Sequence, residues 1–281
     1  MKKLLFLSLV CLAGAAALML TTLNQSADTA RAGEARHVAL LAADETGTFY
    51  MQLKQGARDA AENLNAALSV EIMDETDLSA QARALAQDGI ETAIVYAEDE
   101  TLAAEAAAAL GGAGVASVTL LWDAGDRAIL PDVRADAQAL ADAALDAGCV
   151  QALMVGDNAD LAAAFAEVWT GEILTATDID SADVRPGDCA VALTGEATKA
   201  AMTRSAGIPL FGVDTGETRA EDLETGKIDG LLLSRPYVVG YRAVEAALAG
   251  GTDDVYVSAK LVTPATMYLP ENVSIVYPLI Q

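Results

Sequence analysis

Residues 37–64, HVALLAADETGTFYMQLKQGARDAAENL, decide the fold. His37–Ala43 is an apolar run of strand length, and Asp44-Glu45-Thr46-Gly47-Thr48 is a polar turn. From there Tyr50, Leu53, Ala57, Ala60, Ala61 and Leu64 recur at intervals of three and four, the spacing of one buried helix face. A strand apolar on both faces, a short turn and an amphipathic helix form the first half of a βαβ unit. Ligands of such sheets sit outside the C-terminal ends of the strands. The turn after Ala43, with its carboxylates and the aromatics Phe49 and Tyr50 behind it, is therefore a candidate mouth.

The same alternation continues along the chain. Leu68–Met73, Ile90–Tyr96 and Val115–Trp122 read as strands, separated by helices over Leu78–Ala86 and Leu102–Leu110. Asp123–Asp132, DAGDRAILPD, reads as a helix-free linker. Beyond it the pattern predicts helices over Ala135–Ala147, Leu161–Trp169, Glu196–Ser205, Arg219–Thr225 and Pro236–Ala249. The strands between them are Cys149–Val155, Ile173–Asp178, Cys189–Thr194, Ile208–Val213, Ile228–Ser234 and Val255–Val262, followed by a tail over Met267–Leu279. Repeated strand–helix pairs with a restart in the middle predict an α/β protein of two Rossmann-like lobes, each a mostly parallel sheet covered by helices. Asp178 and Cys189 are too close for the usual crossover helix. Ile179–Asp188, with Pro186 and Gly187, is expected to be a loop, so the second lobe is trimmed.

Composition narrows the function. Lys2 and Lys3 precede an apolar run over Leu4–Leu20, and Ala30-Arg31-Ala32 offers a small-x-small cleavage site. Residues 1–32 read as a signal peptide for export to the periplasm, with an uncleaved membrane anchor as the alternative. Ser8-Leu9-Val10 lack the small residue that precedes a lipidated cysteine, which argues against lipidation of Cys11. The 281 residues carry a net charge of −24, and removal of Lys2, Lys3 and Arg31 with Asp28 leaves −26. Such a surface repels phosphate backbones and excludes nucleic-acid binding. It serves solubility, or it attracts a cationic ligand. Cys149 and Cys189 each precede an apolar strand; if those strands are parallel neighbours the pair lies near disulfide reach, and two ordinary buried thiols are the alternative.

Nothing in the chain supports catalysis. His37, the only histidine, stands at the end of the first strand remote from its mouth, so no Ser–His or Cys–His arrangement forms there. No His and Cys set for a metal exists, and no glycine-rich phosphate loop follows a strand. The reading is a non-enzyme without cofactor or metal. Asp44, Glu45, Glu98, Asp99 and Asp123 fall near the first lobe's mouth and read as a solvated acidic rim, with an oxygen-only cation site as the alternative.

In the order and spacing of its segments the chain resembles the type 1 periplasmic solute-binding proteins, above all the ribose-binding-protein-like subunits of sugar ABC importers. Residues 39–57, ALLAADETGTFYMQLKQGA, are similar to that family's first strand, aromatic pair and Lys-x-Gly-Ala helix. Residues 208–251, from IPLFGVDTG to EAALAGG, follow its Gly-x-Asp turn and Pro-initiated helix, and LVTP at 261–264 fits its third crossover. The resemblance implies three interlobe crossings, near Val133–Asp136, Ser234–Pro236 and Val262–Pro264. Lobe one is then 36–134 with 236–262, and lobe two 135–235 with 263–281.

The family closes its lobes on one small solute. Its stacking aromatics fall on Phe49 and Tyr50, although Tyr50 also fits the helix's buried stripe. Its sugar-binding carboxylate falls on Asp214, a position that equally suits a helix cap. Other family positions are substituted: Trp122 and Asp123 stand near its Asp-Arg pair, Asp157 lies where a lobe-two Arg is missing, Thr194 replaces an Asn and Ser234 a hinge Gln. Arg134 and Arg235 lie near crossings and reach either the cleft or an interlobe salt bridge. The expected function is a monomeric periplasmic substrate-binding protein of an ABC transporter that binds a small sugar-like solute and docks on a membrane permease. The alternative is a degenerate relative, without tight sugar binding, that contacts a membrane sensor. A cationic or amine solute drawn by the acidic rim is a third reading.

Overall fold

The computed structural model describes residues 36–176, 185–204, 207–214 and 220–277. The expected signal peptide and most of the expected trimmed loop lie outside the described residues. The first lobe opens with β1 (Arg36–Ala42), α1 (Gly47–Asn63), β2 (Ala66–Ile72), α2 (Leu78–Gln87), β3 (Thr92–Tyr96), α3 (Glu100–Ala113), β4 (Ala116–Leu120) and β5 (Arg127–Pro131). The second begins with α4 (Val133–Asp146), β6 (Gln151–Val155), α5 (Ala159–Val168) and β7 (Glu172–Ala176). It continues with β8 (Asp188–Ala192), α6 (Gly195–Arg204), β9 (Leu210–Val213), α7 (Ala220–Glu224) and β10 (Gly230–Leu233). Then come α8 (Pro236–Ala249), β11 (Val255–Val257), β12 (Lys260–Val262) and α9 (Pro270–Val276).

Two six-stranded sheets result, in the orders β11-β5-β4-β3-β1-β2 and β12-β10-β9-β8-β6-β7. Every pairing is parallel except β10 with β12. Period-two alternation explains why apolar strands suit this arrangement. Val38, Leu40 and Ala42 of β1 pack beneath α1 and α8, whereas Ala39 and Leu41 face α2 and α3. In the second sheet Ala152 and Met154 of β6 face α4 and α5, and Leu153 and Val155 face the opposite side.

The chain passes between the sheets after β5, after β10 and between β11 and β12. Three expectations need correction. The segment read as a linker contains β5, which pairs in parallel with β4 after only a short loop. That loop folds back over the face of β4 that carries Ser117 and Thr119: the Asp126 amide donates to the Ser117 hydroxyl at 3.1 Å, Leu121 takes a φ of +74°, and Val118 stands opposite Arg127. The single strand expected over Val255–Val262 is two strands in different sheets, so the third passage falls at Ser258–Ala259 rather than at Val262–Pro264. Leu64 does not join the buried face of α1; it caps the helix and is 43% exposed. Cys149 and Cys189, near the starts of the neighbouring strands β6 and β8, are buried free thiols.

Lobe one is assembled from two separate stretches of chain, joined by the contact of α1 with α8. Two glycines make it close. A Cβ on Gly56 would stand 1.9 Å from the backbone oxygen of Tyr237, and one on Gly240 would stand 2.0 Å from that of Leu53. Tyr237 adds a hydroxyl bond of 2.8 Å to Asp59. Replacing Gly56 or Gly240 by Ala is expected to destabilise the fold by roughly 2–4 kcal/mol and lower Tm by roughly 5–10 °C. Gly111→Ala on α3, where an added Cβ meets nothing within 4 Å, serves as the control and should be neutral or slightly stabilising. Equal melting temperatures for all three variants would refute the close-packing account.

Candidate functional site

A cavity of about 800 Å³ lies between the lobes. Lobe one lines it with Phe49 at the start of α1, the loop Leu121-Trp122-Asp123, the end of β5 and Tyr256 on β11. Lobe two supplies Asp136 on α4, Asn158 and Asp160 at the start of α5, and Asp214 after β9. Ser234, Arg235 and Ala259 line it from the crossings themselves. The cavity thus sits at the C-terminal ends of both sheets, where strand–helix turns converge.

Local chemistry fixes the lobe-one wall. Phe49 is half-buried and stacks on Tyr96, with ring centroids 5.6 Å apart and planes 16° apart. Trp122 donates its indole N–H to the Ala97 carbonyl at 3.1 Å. The loop that carries it is held by Thr119, whose hydroxyl donates to the Trp122 carbonyl at 2.7 Å, and by Asp126, which accepts from the Ser117 amide at 2.8 Å. These bonds keep a branched residue, Leu121, in the left-handed region that non-glycine residues avoid. On the facing wall, Ser234 donates its hydroxyl to Asp214 at 2.9 Å, and the Asp214 amide donates to Leu232 at 2.8 Å.

Of the residues read from the sequence, Phe49, Trp122, Asp123, Asp214 and Ser234 meet at this one cavity. Three do not. Tyr50 is fully buried in the lobe-one core, one residue too far round α1, and points its hydroxyl at Glu45, 3.4 Å away. Asp157 lies on a separate, shallower depression with Gly156, Thr175 and Leu193. Thr194 caps α6: its hydroxyl accepts from the Ala197 amide at 3.2 Å. Asn158, next to Asp157, lines the cavity while its side chain caps α5 by accepting from Leu161 at 3.1 Å.

Sequence reading missed Asp136, Asp160 and Tyr256. Asp136 hides in the first turn of a helix, where an acid is ordinary, and Tyr256 lies in a strand read as continuous. Arg235 was singled out only for its place at a crossing, and it does reach the cavity. Among the described residues no group of three or more His, Cys, Asp or Glu side chains is placed to hold a metal ion.

Asp136 is the unusual ionisable group of the site. It is 8% exposed, and its Oδ1 accepts from the Ala259 amide at 2.7 Å, across the third crossing. Burial pushes its carboxyl up to about 6, the Ala259 amide opposes the shift, and Asp132 adds to it. Asp132 itself caps α4, accepting from Ala135 at 3.0 Å.

No protein-family model and no curated protein matches the chain. Solved structures match its fold. A structure of a XylFII–LytSN complex aligns with a TM-score of 0.67 at 13% identity, over 82% of this chain and 98% of that one. An ABC transporter solute-binding protein from Agrobacterium vitis, bound with alpha-D-tagatopyranose, aligns at 0.61 with 15% identity, over 86% and 99% of the two chains. Another, from Mycobacterium smegmatis with bound glycerol, aligns at 0.61 with 18% identity, over 83% and 95%. At these identities the likeness is one of fold: two mostly parallel α/β lobes in the arrangement of the type 1 periplasmic binding proteins.

An acid whose folded value lies above its unfolded one stabilises the fold fully below the unfolded value and loses that contribution as pH rises through the folded value. For Asp136 the window runs from near 3.8 to about 6. Asp136→Asn removes it, so the variant should gain on the wild type by on the order of 2 kcal/mol between pH 4.5 and 7.5. Urea unfolding of both proteins across that range checks this, and parallel profiles would show an ordinary carboxylate.

Proposed function

We propose that the protein is the exported solute-binding subunit of an ABC importer and holds one small, hydroxylated, sugar-like solute between its lobes. The observation that carries this reading is the interlobe cavity of about 800 Å³, lined from both lobes and from the crossings. Its size suits a small ligand. In this reading Phe49 and Trp122 offer ring faces to the apolar side of the solute. Asp214, oriented by Ser234, accepts hydrogen bonds from its hydroxyls. Solute-binding proteins bound to tagatose and to glycerol among the fold's neighbours support the solute class. The protein works as a monomer in the periplasm and delivers its solute to a membrane permease. Among the described residues no helix is long and apolar enough to cross a membrane. The chemistry is binding rather than turnover.

Binding across two lobes pulls them together. A library of pentoses, hexoses and polyols screened by thermal shift should contain at least one solute that raises Tm. Small-angle scattering with that solute should show a smaller radius of gyration. Phe49→Ala should weaken its binding by about tenfold, the loss of about 1.4 kcal/mol of stacking. A library in which no member raises Tm or compacts the protein would sink this function.

A further inference from the structure

We propose that the solute of this cleft carries a positive charge: it is a hydroxylated amine of the amino-sugar class, its ammonium group held by the carboxylates of the cavity with Asp136 as the innermost. The proposal rests on the cleft being a solute site and names the chemistry of what enters it.

The lining is electrically lopsided. Asp123 faces the cavity from lobe one, and Asp136, Asp160 and Asp214 face it from lobe two. Among the described residues of the lining, Arg235 is the sole cation. A neutral sugar leaves that imbalance in place, and an acidic solute worsens it. An ammonium group relieves it.

Among these carboxylates Asp136 is the most withdrawn from water. It lines the cavity at 8% exposure, and only its Oδ1 is bonded, to the Ala259 amide. No described residue donates to Oδ2. A carboxylate largely withdrawn from water, with a single amide as its hydrogen-bond donor, is costly, and a cation beside it offsets part of that cost. Burial raises its carboxyl, and the neighbouring Asp132 adds to the shift. Asp132, the cap of α4, is the charged group that acts on it directly, and Asp160, Asp214, Arg235 and Asp123 share the cavity with it.

The opposite wall suits the same guest. Phe49, Trp122 and Tyr256 put three aromatic rings on the lobe-one side of the cavity. Ring faces attract ammonium groups, and they also stack on the apolar face of a pyranose. An amino sugar uses both properties in one molecule.

Isothermal calorimetry on the mature chain tests this with glucosamine, galactosamine and mannosamine against glucose, galactose and mannose and against the three N-acetylated amines. At least one amine is expected to bind tenfold or more tightly than both its neutral counterparts. A neutral sugar that binds as well or better, whether from this set or from the wider library, overturns the proposal and leaves the solute-binding function standing. Silence from every compound overturns both.

Two variants locate the charge. Asp136→Asn should weaken the amine tenfold or more. The exposed rim variant Asp123→Asn should weaken it less, with no effect on folding. Proton linkage on the wild type provides a reading independent of both variants. At pH 6 an ammonium docked at Asp136 should expel about half a proton, seen as a buffer-dependent heat that vanishes by pH 8. Tight amine binding without that proton release, or unweakened by Asp136→Asn, would overturn the assignment to Asp136.

Discussion

The rest of the structure depends on how closely α1 and α8 approach. Lobe one is made of chain that comes before the second lobe and chain that comes after it. These stretches share a sheet only at β5 and β11, a three-residue pairing at the edge. The helix contact through Gly56 and Gly240 does the larger part of joining them. It also sets the site. Phe49 stands at the head of α1 and Val239 in the first turn of α8, and both line the cavity. A side chain at either glycine would push the helices apart and move one wall of the cleft against the other.

The crossings carry polar ties as well as chain. Ser234 at the second crossing binds Asp214 of lobe two, and Ala259 at the third binds Asp136. Each tie joins a crossing segment to a carboxylate that also lines the cavity. Asp136 and Asp214 are therefore both cavity-lining groups and anchors of the crossings.

Much of this was legible in the sequence. The strand–helix alternation gave two lobes because doubly covered parallel strands are apolar throughout, a pattern that survives without tertiary knowledge. Pro236 marked the start of α8 to the residue. β5 was hidden because a parallel neighbour normally needs a long crossover, and here a left-handed Leu121 shortens the route. Two strands passed for one over Val255–Val262, since a passage between sheets leaves no mark on hydrophobicity. Phe49 and Asp214, taken from the family pattern, both line the cavity. Tyr50 was carried along with Phe49, although one step along a helix turns a residue by about 100° and here moves it from the mouth to the core. Asp136 gave no signal, because its significance comes from burial and from a partner more than a hundred residues away.

The two cysteines of the described chain offer an experimental handle on lobe independence. Both thiols are buried in lobe two, and burial holds each of them protonated and slow to react. Lobe one has none. A thiol reagent added to folded protein that lacks residues 1–32, and with them Cys11, consequently reports on excursions of the second lobe alone. Comparing its rate with global unfolding would tell whether the two halves melt as one cooperative unit or whether the second loosens while the first stays intact.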